Sequence, residues 1–338
     1  MTASALRGYG LTLVAGLAGA ALATRIGVPA GALIGGTLAV ALLTVLGVRS
    51  GLPDPLRDLA FATIGVSLGS GIDQRLFDQV GTWATSLAIL VASLIATILV
   101  GRLILTRAFG MDGKTATLAS SPGTMSNAIA IAVEGHGDAT AVMFMQLTRL
   151  LVLVVAVPPL AVALDSPPAI SGATVEVMSA PVIAALLAVS VAVGLIGKRV
   201  GFPAAALLAG MMMSAGAHAS GQTHGVPPTW VNFAAFAVTG AVLGARMSRV
   251  TFAQVRHHAT AGLATVGVAL VVSIIFALCT YVATDLPFGQ IWIAFAPGGV
   301  EAMAAIGLSL GYDSAYVAMH HFARIFTLVL IVPIVLRI

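Results

Sequence analysis

RIGVPAGALIGGTLA at residues 25–39 returns as RVGFPAAALLAGMMM at residues 199–213, 174 positions further along the chain. Four more echoes keep that step to within one residue. FATIGVSLGSGIDQRLFDQV from Phe61 matches FAVTGAVLGARMSRVTFAQV from Phe236, aligning Gly65 with Gly240, Gly69 with Gly244 and Phe77 with Phe252. SPGTMSNAIAIAVEGHGDATAV from Ser121 matches APGGVEAMAAIGLSLGYDSAYV from Ala296, and Arg149 and Pro158 then fall opposite Arg324 and Pro333. One step held over most of the chain marks a tandem duplication. The repeats span residues 1–164 and 177–338, joined by a linker at 165–176 whose Pro, Ser and Gly content is that of a turn-rich connection.

Each half reads as six apolar segments, in the first half at roughly 9–24, 28–48, 57–72, 82–105, 115–133 and 139–163. Hydrophobic residues make up 59% of the chain and charged residues 8%, with mean hydropathy +1.06, where soluble domains carry about 25% charge. Such a chain has too little polar surface to face water, so the bilayer is its main solvent. Lipid admits only helices and closed barrels, and continuous apolar stretches of about 20 residues are helical, since barrel strands alternate over about 10. The fold class expected is all-α, a polytopic membrane protein.

The net charge of +4 comes from sixteen Lys and Arg scattered singly or in pairs, a topology signal and not a nucleic-acid surface. The lone Cys279 can form neither an internal disulfide nor a Cys-based zinc site, and reads as a packing residue. The N-terminal stretch with Arg7 and AGAALAT mimics a signal peptide. Its counterpart at about 179–197 lies inside the chain, so it is expected to stay as a helix.

Charge placement decides the topology expected. If all twelve segments cross, the Lys and Arg outside the membrane split seven against seven. If the fifth segment of each half enters and returns on one side, that side collects Arg7, Arg49, Arg57, Arg102, Arg107, Lys114, Lys198, Arg199, Arg246, Arg249, Arg256 and Arg337. Only Arg25 and Arg75 remain opposite. That bias is the cytoplasmic signature of an inner-membrane protein. It implies two inverted repeats, each with five crossings plus one broken or re-entrant segment, and both termini cytoplasmic. The fifth segments are also those carrying SSPGTMSN and APGGVEAM, where Pro followed by Gly breaks a helix at membrane depth. Paired breaks in inverted repeats point to a transporter's binding site.

Arg149 stands eleven residues beyond Asp138, which places it roughly 16 Å into a core about 30 Å thick; Arg324 is its mate. A buried Arg needs an anionic partner, a wet cavity or freed carbonyls. Two readings stay open: a structural Arg bonding the broken backbone, or a site for an anionic group held by the guanidinium fork. Glu301 is the only carboxylate within a break, opposite Ser126, and either couples transport to protons or forms a structural salt bridge. His321 and His320, beside Arg324, are weaker proton carriers than Glu301 or simply hydrogen-bond across helices. Ser120, Ser121, Gly123, Thr124, Ser126 and Asn127 at the first break, with Gly298 and Gly299 at the second, offer hydroxyl, amide and backbone groups to solute or sodium, or to the broken backbone. Asp138 and Asp313 read as helix caps, and the Gly65/Gly69 and Gly240/Gly244 pairs as close helix contacts.

The duplicated PAG..IGG and PGG..EA...G.D......H..R blocks resemble the AbrB-type integral membrane proteins of bacteria, over nearly the whole length. Such proteins are often labelled ammonia monooxygenases or regulators of gene expression, and share a name with an unrelated soluble DNA-binding regulator. The residues support neither label, since a monooxygenase needs copper or iron ligands and His136, His218, His224, His257, His258, His320 and His321 are expected to form no clustered ligand set inside the bilayer, and no soluble basic module is present. More distantly, the architecture is similar to cation/proton antiporter and anion transporter superfamily carriers. The expectation is a secondary transporter of a small anionic or zwitterionic solute, driven by protons or sodium, with no cofactor, no catalytic residue and a homodimer as default assembly. The alternatives are a membrane-embedded ligand sensor regulating gene expression and, behind it, a membrane monooxygenase.

Overall fold

The structure, a computed structural model, describes residues 3–71, 80–122, 125–165 and 176–337. The sequence linker lies almost wholly outside these residues. In the first half the helices are α1 (Ala3–Arg25), α2 (Gly31–Val45), α3 (Asp54–Gly69), α4 (Val80–Phe109), α5 (Gly113–Ser120), α6 (Met125–Ile131) with a π-helical turn at Ala132–His136, and α7 (Ala139–Leu164). The second half repeats this order as α8 (Ala180–Arg199), α9 (Ala205–Ala219), α10 (Thr229–Ala245) with a 3₁₀ turn at Arg246–Arg249, α11 (Phe252–Ala283), α12 (Phe288–Phe295), α13 (Val300–Ser309) and α14 (Ser314–Val335). The chain is thus an all-helical polytopic protein. Seven of the described helices, α1, α4, α7, α8, α10, α11 and α14, are long and apolar enough to cross a membrane.

The fifth apolar segment of each half is two short helices. α5 ends at Ser120 before Pro122, and α12 ends at Phe295 before Pro297, because proline cannot continue the hydrogen-bond ladder. At eight residues, α5 and α12 are each only about 12 Å long, too short to span. In the first half the ends of the broken segment meet: the N–H of Asp138, just before α7, donates to Thr115 Oγ1 at the start of α5, 2.8 Å away. The segment therefore folds back on itself as a hairpin.

The chain falls into two compact units, neither of which coincides with a repeat. The first comprises Met1–Val80, Ser166–Ser248 and Ala304–Ala315; the second comprises Gly81–Asp165, Arg249–Met303 and Tyr316–Ile338. In the first unit, α2 packs on α10 and α3 on α9, so each half lends a helix to the other. The glycine pairs explain why. A Cβ on Gly240 or Gly244 would overlap the carbonyl of Leu33 or Thr37 on α2, and one on Gly65 or Gly69 would overlap that of Leu207 or Met211 on α9. Small residues let the backbones touch, and in lipid such van der Waals contact drives helix association. The duplication reaches the backbone: Ala30 and Ala204, ahead of α2 and α9, both adopt left-handed φ, +52° and +49°. Cys279 departs from expectation, since it is exposed on α11 and does not pack in the interior.

Candidate functional site

The second unit holds both breaks, α7, α14 and most of the residues singled out above. Where α5 stops, the carbonyls of its last turn lose their helical donors. Gln146 on α7 supplies replacements: its Nε2 donates to the carbonyls of Leu118 and Ser121, each at 2.9 Å. Arg149, one turn on, donates from Nη1 to the same Ser121 carbonyl at 3.1 Å, and from Nη2 to Gln146 Oε1.

The second break repeats two of these bonds at the mate positions. His321, the mate of Gln146, places Nε2 3.1 Å from the carbonyl of Ile293, the mate of Leu118. Arg324 donates from Nη1 to the Ala296 carbonyl, the mate of Ser121, at 2.7 Å, and from Nη2 to the Gly298 carbonyl. Facing a carbonyl, His321 Nε2 must be the protonated nitrogen, so one ring proton completes its bond. His320 does the same with its other nitrogen, Nδ1, against the Tyr316 carbonyl at 2.8 Å, leaving Nε2 to accept from Ser86 Oγ. Both histidines are fully buried.

Both arginines thus bond carbonyls at the breaks. Arg149 and Arg324 are 3% and 0% exposed. Among the described residues neither forms an ion pair with a carboxylate, and Arg324 Nε has no partner. A Cβ on Gly299 would lie 3.4 Å from Leu150, the neighbour of Arg149. The second break thus comes up against α7 at the level of the first arginine. Around it the Oγ atoms of Ser120 and Ser121 are buried without partners among the described residues.

Glu301 lies half-buried in the first turn of α13, its Oε2 toward Gly299. There the helix dipole favours a carboxylate, and Glu301 pairs with neither arginine. Asn127 is exposed on α6 and is not among the partners of the arginines. Gly123 and Thr124 lie outside the described residues, as does the side chain of Ser126. Asp138 caps α7 through the N–H groups of Thr140 and Ala141, and Asp313 accepts from the N–H of Ala315. Gln146 escaped notice in the sequence; its alignment with His321 was the available signal.

The family profile described as "Transition state regulatory protein AbrB" matches residues 1–74 and again 33–338. The chain belongs to the AbrB family. Within reach of that family, it is 25% identical over 288 residues to YhjN of Bacillus subtilis (strain 168), covering 80% of this chain and 75% of that protein. It is 27% identical over 324 residues to a protein of Escherichia coli (strain K12) whose name carries the words "regulator AbrB", covering 91% of this chain and 90% of that one. Among the described residues of this AbrB-family chain, no three His, Cys, Asp or Glu side chains gather closely enough to hold a metal ion.

Proposed function

We propose that this AbrB-family protein is a secondary transporter, not an enzyme, that carries a small anionic or zwitterionic solute by alternating access at its two breaks. One observation carries the reading: two buried guanidinium groups, on α7 and α14 and each bonded to a break, lack a carboxylate partner among the described residues. A stable fold gains little from buried charges without a counter-charge, whereas an arriving carboxylate or phosphate supplies it and takes bidentate bonds from either fork. Ser120 and Ser121 hydroxyls then serve the solute. Glu301 is the group that takes up or releases the driving proton, or contributes oxygen to sodium. Both breaks are hairpins in opposite senses, the repeats are inverted, and the basic loops with both termini face the cytoplasm of a bacterial inner membrane. The short α2, α3 and α9 must cross as well in this topology.

The names of the family and of the Escherichia coli relative favour a second reading, a membrane-embedded sensor whose ligand binding regulates gene expression. Both readings require the arginines to hold a ligand, so two measurements separate them. The first is a thermal-shift screen in detergent over organic acids, amino acids and inorganic anions, with Arg149→Gln and Arg324→Gln beside wild type. The carrier reading expects a stabilising anion whose effect both variants lose. The second is uptake of that anion into proteoliposomes under an imposed proton or sodium gradient. Binding without uptake selects the sensor, and an anion that stabilises both variants as well as wild type removes the site.

A further inference from the structure

Two places in the second unit are built from equivalent repeat positions and filled in opposite ways. Beside the first hairpin lies a pocket of ≈ 340 Å³, whose walls include Asp112, Thr115, Asp138, Ala141, His258 and Ala261. Its carboxylates are held by the starts of two helices: Asp112 accepts from the N–H groups of Lys114 and Thr115, and Asp138 caps α7. Ala141 lies five residues before Gln146 on α7, so the pocket floor stands roughly 7 Å along the helix from the residue that holds the first break. One layer intervenes, in which Thr265 Oγ1, donating to the Ala261 carbonyl at 2.8 Å, lies 3.9 Å from the sulfur of Met145.

The repeat mates of Ala141, Ala261 and His258 are Tyr316, Ser86 and Trp83. Where the first set leaves space, the second fills it. The Tyr316 hydroxyl hydrogen-bonds Ser86 Oγ, which lies 2.8 Å from His320 Nε2. Trp83 meets the Tyr316 ring edge-on at 5.9 Å, and Phe295 closes on His320 at 6.1 Å. Ser86, Tyr316 and His320 are 0% exposed. His320 is the mate of Met145, so a buried imidazole bound into an aromatic cluster stands where the first side has one flexible thioether.

We propose that the pocket is the open aqueous mouth leading to the first break, and that Trp83, Ser86, Tyr316 and His320 are the second mouth, closed. This rests on the carrier reading. The residues at three repeat positions decide which mouth is open: alanine, alanine and histidine on one side, tyrosine, serine and tryptophan on the other. Passage through the second mouth requires the Tyr316–Ser86–His320 chain of hydrogen bonds to part, while the first mouth has only the Met145 layer to cross.

The single native cysteine makes the test direct. In a Cys279→Ala background, Ala261→Cys, Ser86→Cys, His258→Cys and Trp83→Cys are each purified in detergent, and their reaction with a charged, water-soluble maleimide is timed. The second pair keeps the mouths comparable should Ser86→Cys fold poorly, and a thermal melt of each variant identifies that case. A side chain that reacts only through local opening is slowed by at least about tenfold. We expect the 261 and 258 thiols to react at least that much faster than their mates, and Tyr316→Ala to accelerate the Ser86→Cys thiol. Equal rates within both pairs, or faster reaction on the Trp83 side, overturn the proposal. Unequal rates without any solute uptake would remove the carrier and keep the mouths; uptake with equal rates would do the reverse.

Discussion

Gln146 and His321 occupy one repeat position and do one job, donating to the carbonyl of Leu118 or Ile293 that the helix break has orphaned. A buried acceptor left without its donor costs about 1–3 kcal/mol. Gln146→Leu should therefore lower thermal stability in detergent by that order, and His321→Leu likewise. Gln146→His and His321→Gln should be far milder, because each installs the donor its mate already uses. Equal losses for the leucine and the exchanged variants would sink this account. Ala204 offers the opposite sign. Its left-handed φ of +49° costs an alanine about 1–2 kcal/mol, which glycine would relieve, less the cost of its freer unfolded chain. Ala204→Gly is expected to be neutral or stabilising by up to about 1 kcal/mol in the same melts, and a clear loss would show that the Cβ packs usefully there.

Helix pairing in the first unit rests on the absence of side chains. At Gly240 a Cβ would overlap the Leu33 carbonyl of α2, a backbone atom that cannot swing aside. Gly240→Val must push α10 off α2 and is expected to destabilise by about 3 kcal/mol or to abolish a monodisperse size-exclusion peak. Gly267, on α11, has nothing near its missing Cβ. Gly267→Ala there should raise stability by up to about 1 kcal/mol, since alanine is the better helix former. If both substitutions behave alike, close packing is not what selects these glycines. The elements themselves were legible: segments at 9–24, 82–105 and 139–163 became α1, α4 and α7 with ends shifted by a few residues. The break inside the fifth segment was legible too, from Pro122 and Pro297. The partner of each helix was not, because Leu facing lipid and Leu facing another helix give the same apolar periodicity.

The whole molecule joins its two repeats by charge as well as by packing. At the start of α3, Asp54 and Asp58 both receive Lys198 from the end of α8, at 3.0 and 3.1 Å, and Arg57 bridges the same two carboxylates. The Lys198 hydrogen bond, with help from Arg57 and against the opposing pull of partial burial, holds the Asp54 carboxyl below its usual 3.8. A carboxyl depressed by folding stabilises fully above its unfolded value and loses that contribution as pH falls through the lower folded one. Wild type should thus lose stability below about pH 4 more steeply than Asp54→Asn. The difference should stay within about 1 kcal/mol, since Asp54 is largely exposed and screened. Superimposable melting curves for the two from pH 7 to pH 3 would show that the network contributes nothing.

The sequence by itself determined the solvent, the helices, the duplication and the two breaks, because each is written in local chemistry: apolar content, proline and glycine, and a step of 174 or 175 residues. It also marked Arg149 and Arg324, since charge inside an apolar run stands out. Only the tertiary structure decided that the two ends of the first broken segment meet, through Asp138 bonding Thr115. It alone showed that the compact units cut across the repeats, that Gln146 shares the work of Arg149, and that Tyr316, Ser86 and Trp83 fill the place that Ala141, Ala261 and His258 leave open. Those facts depend on which surfaces touch, and in a chain that is apolar on nearly every face the pattern of residues does not name the partner.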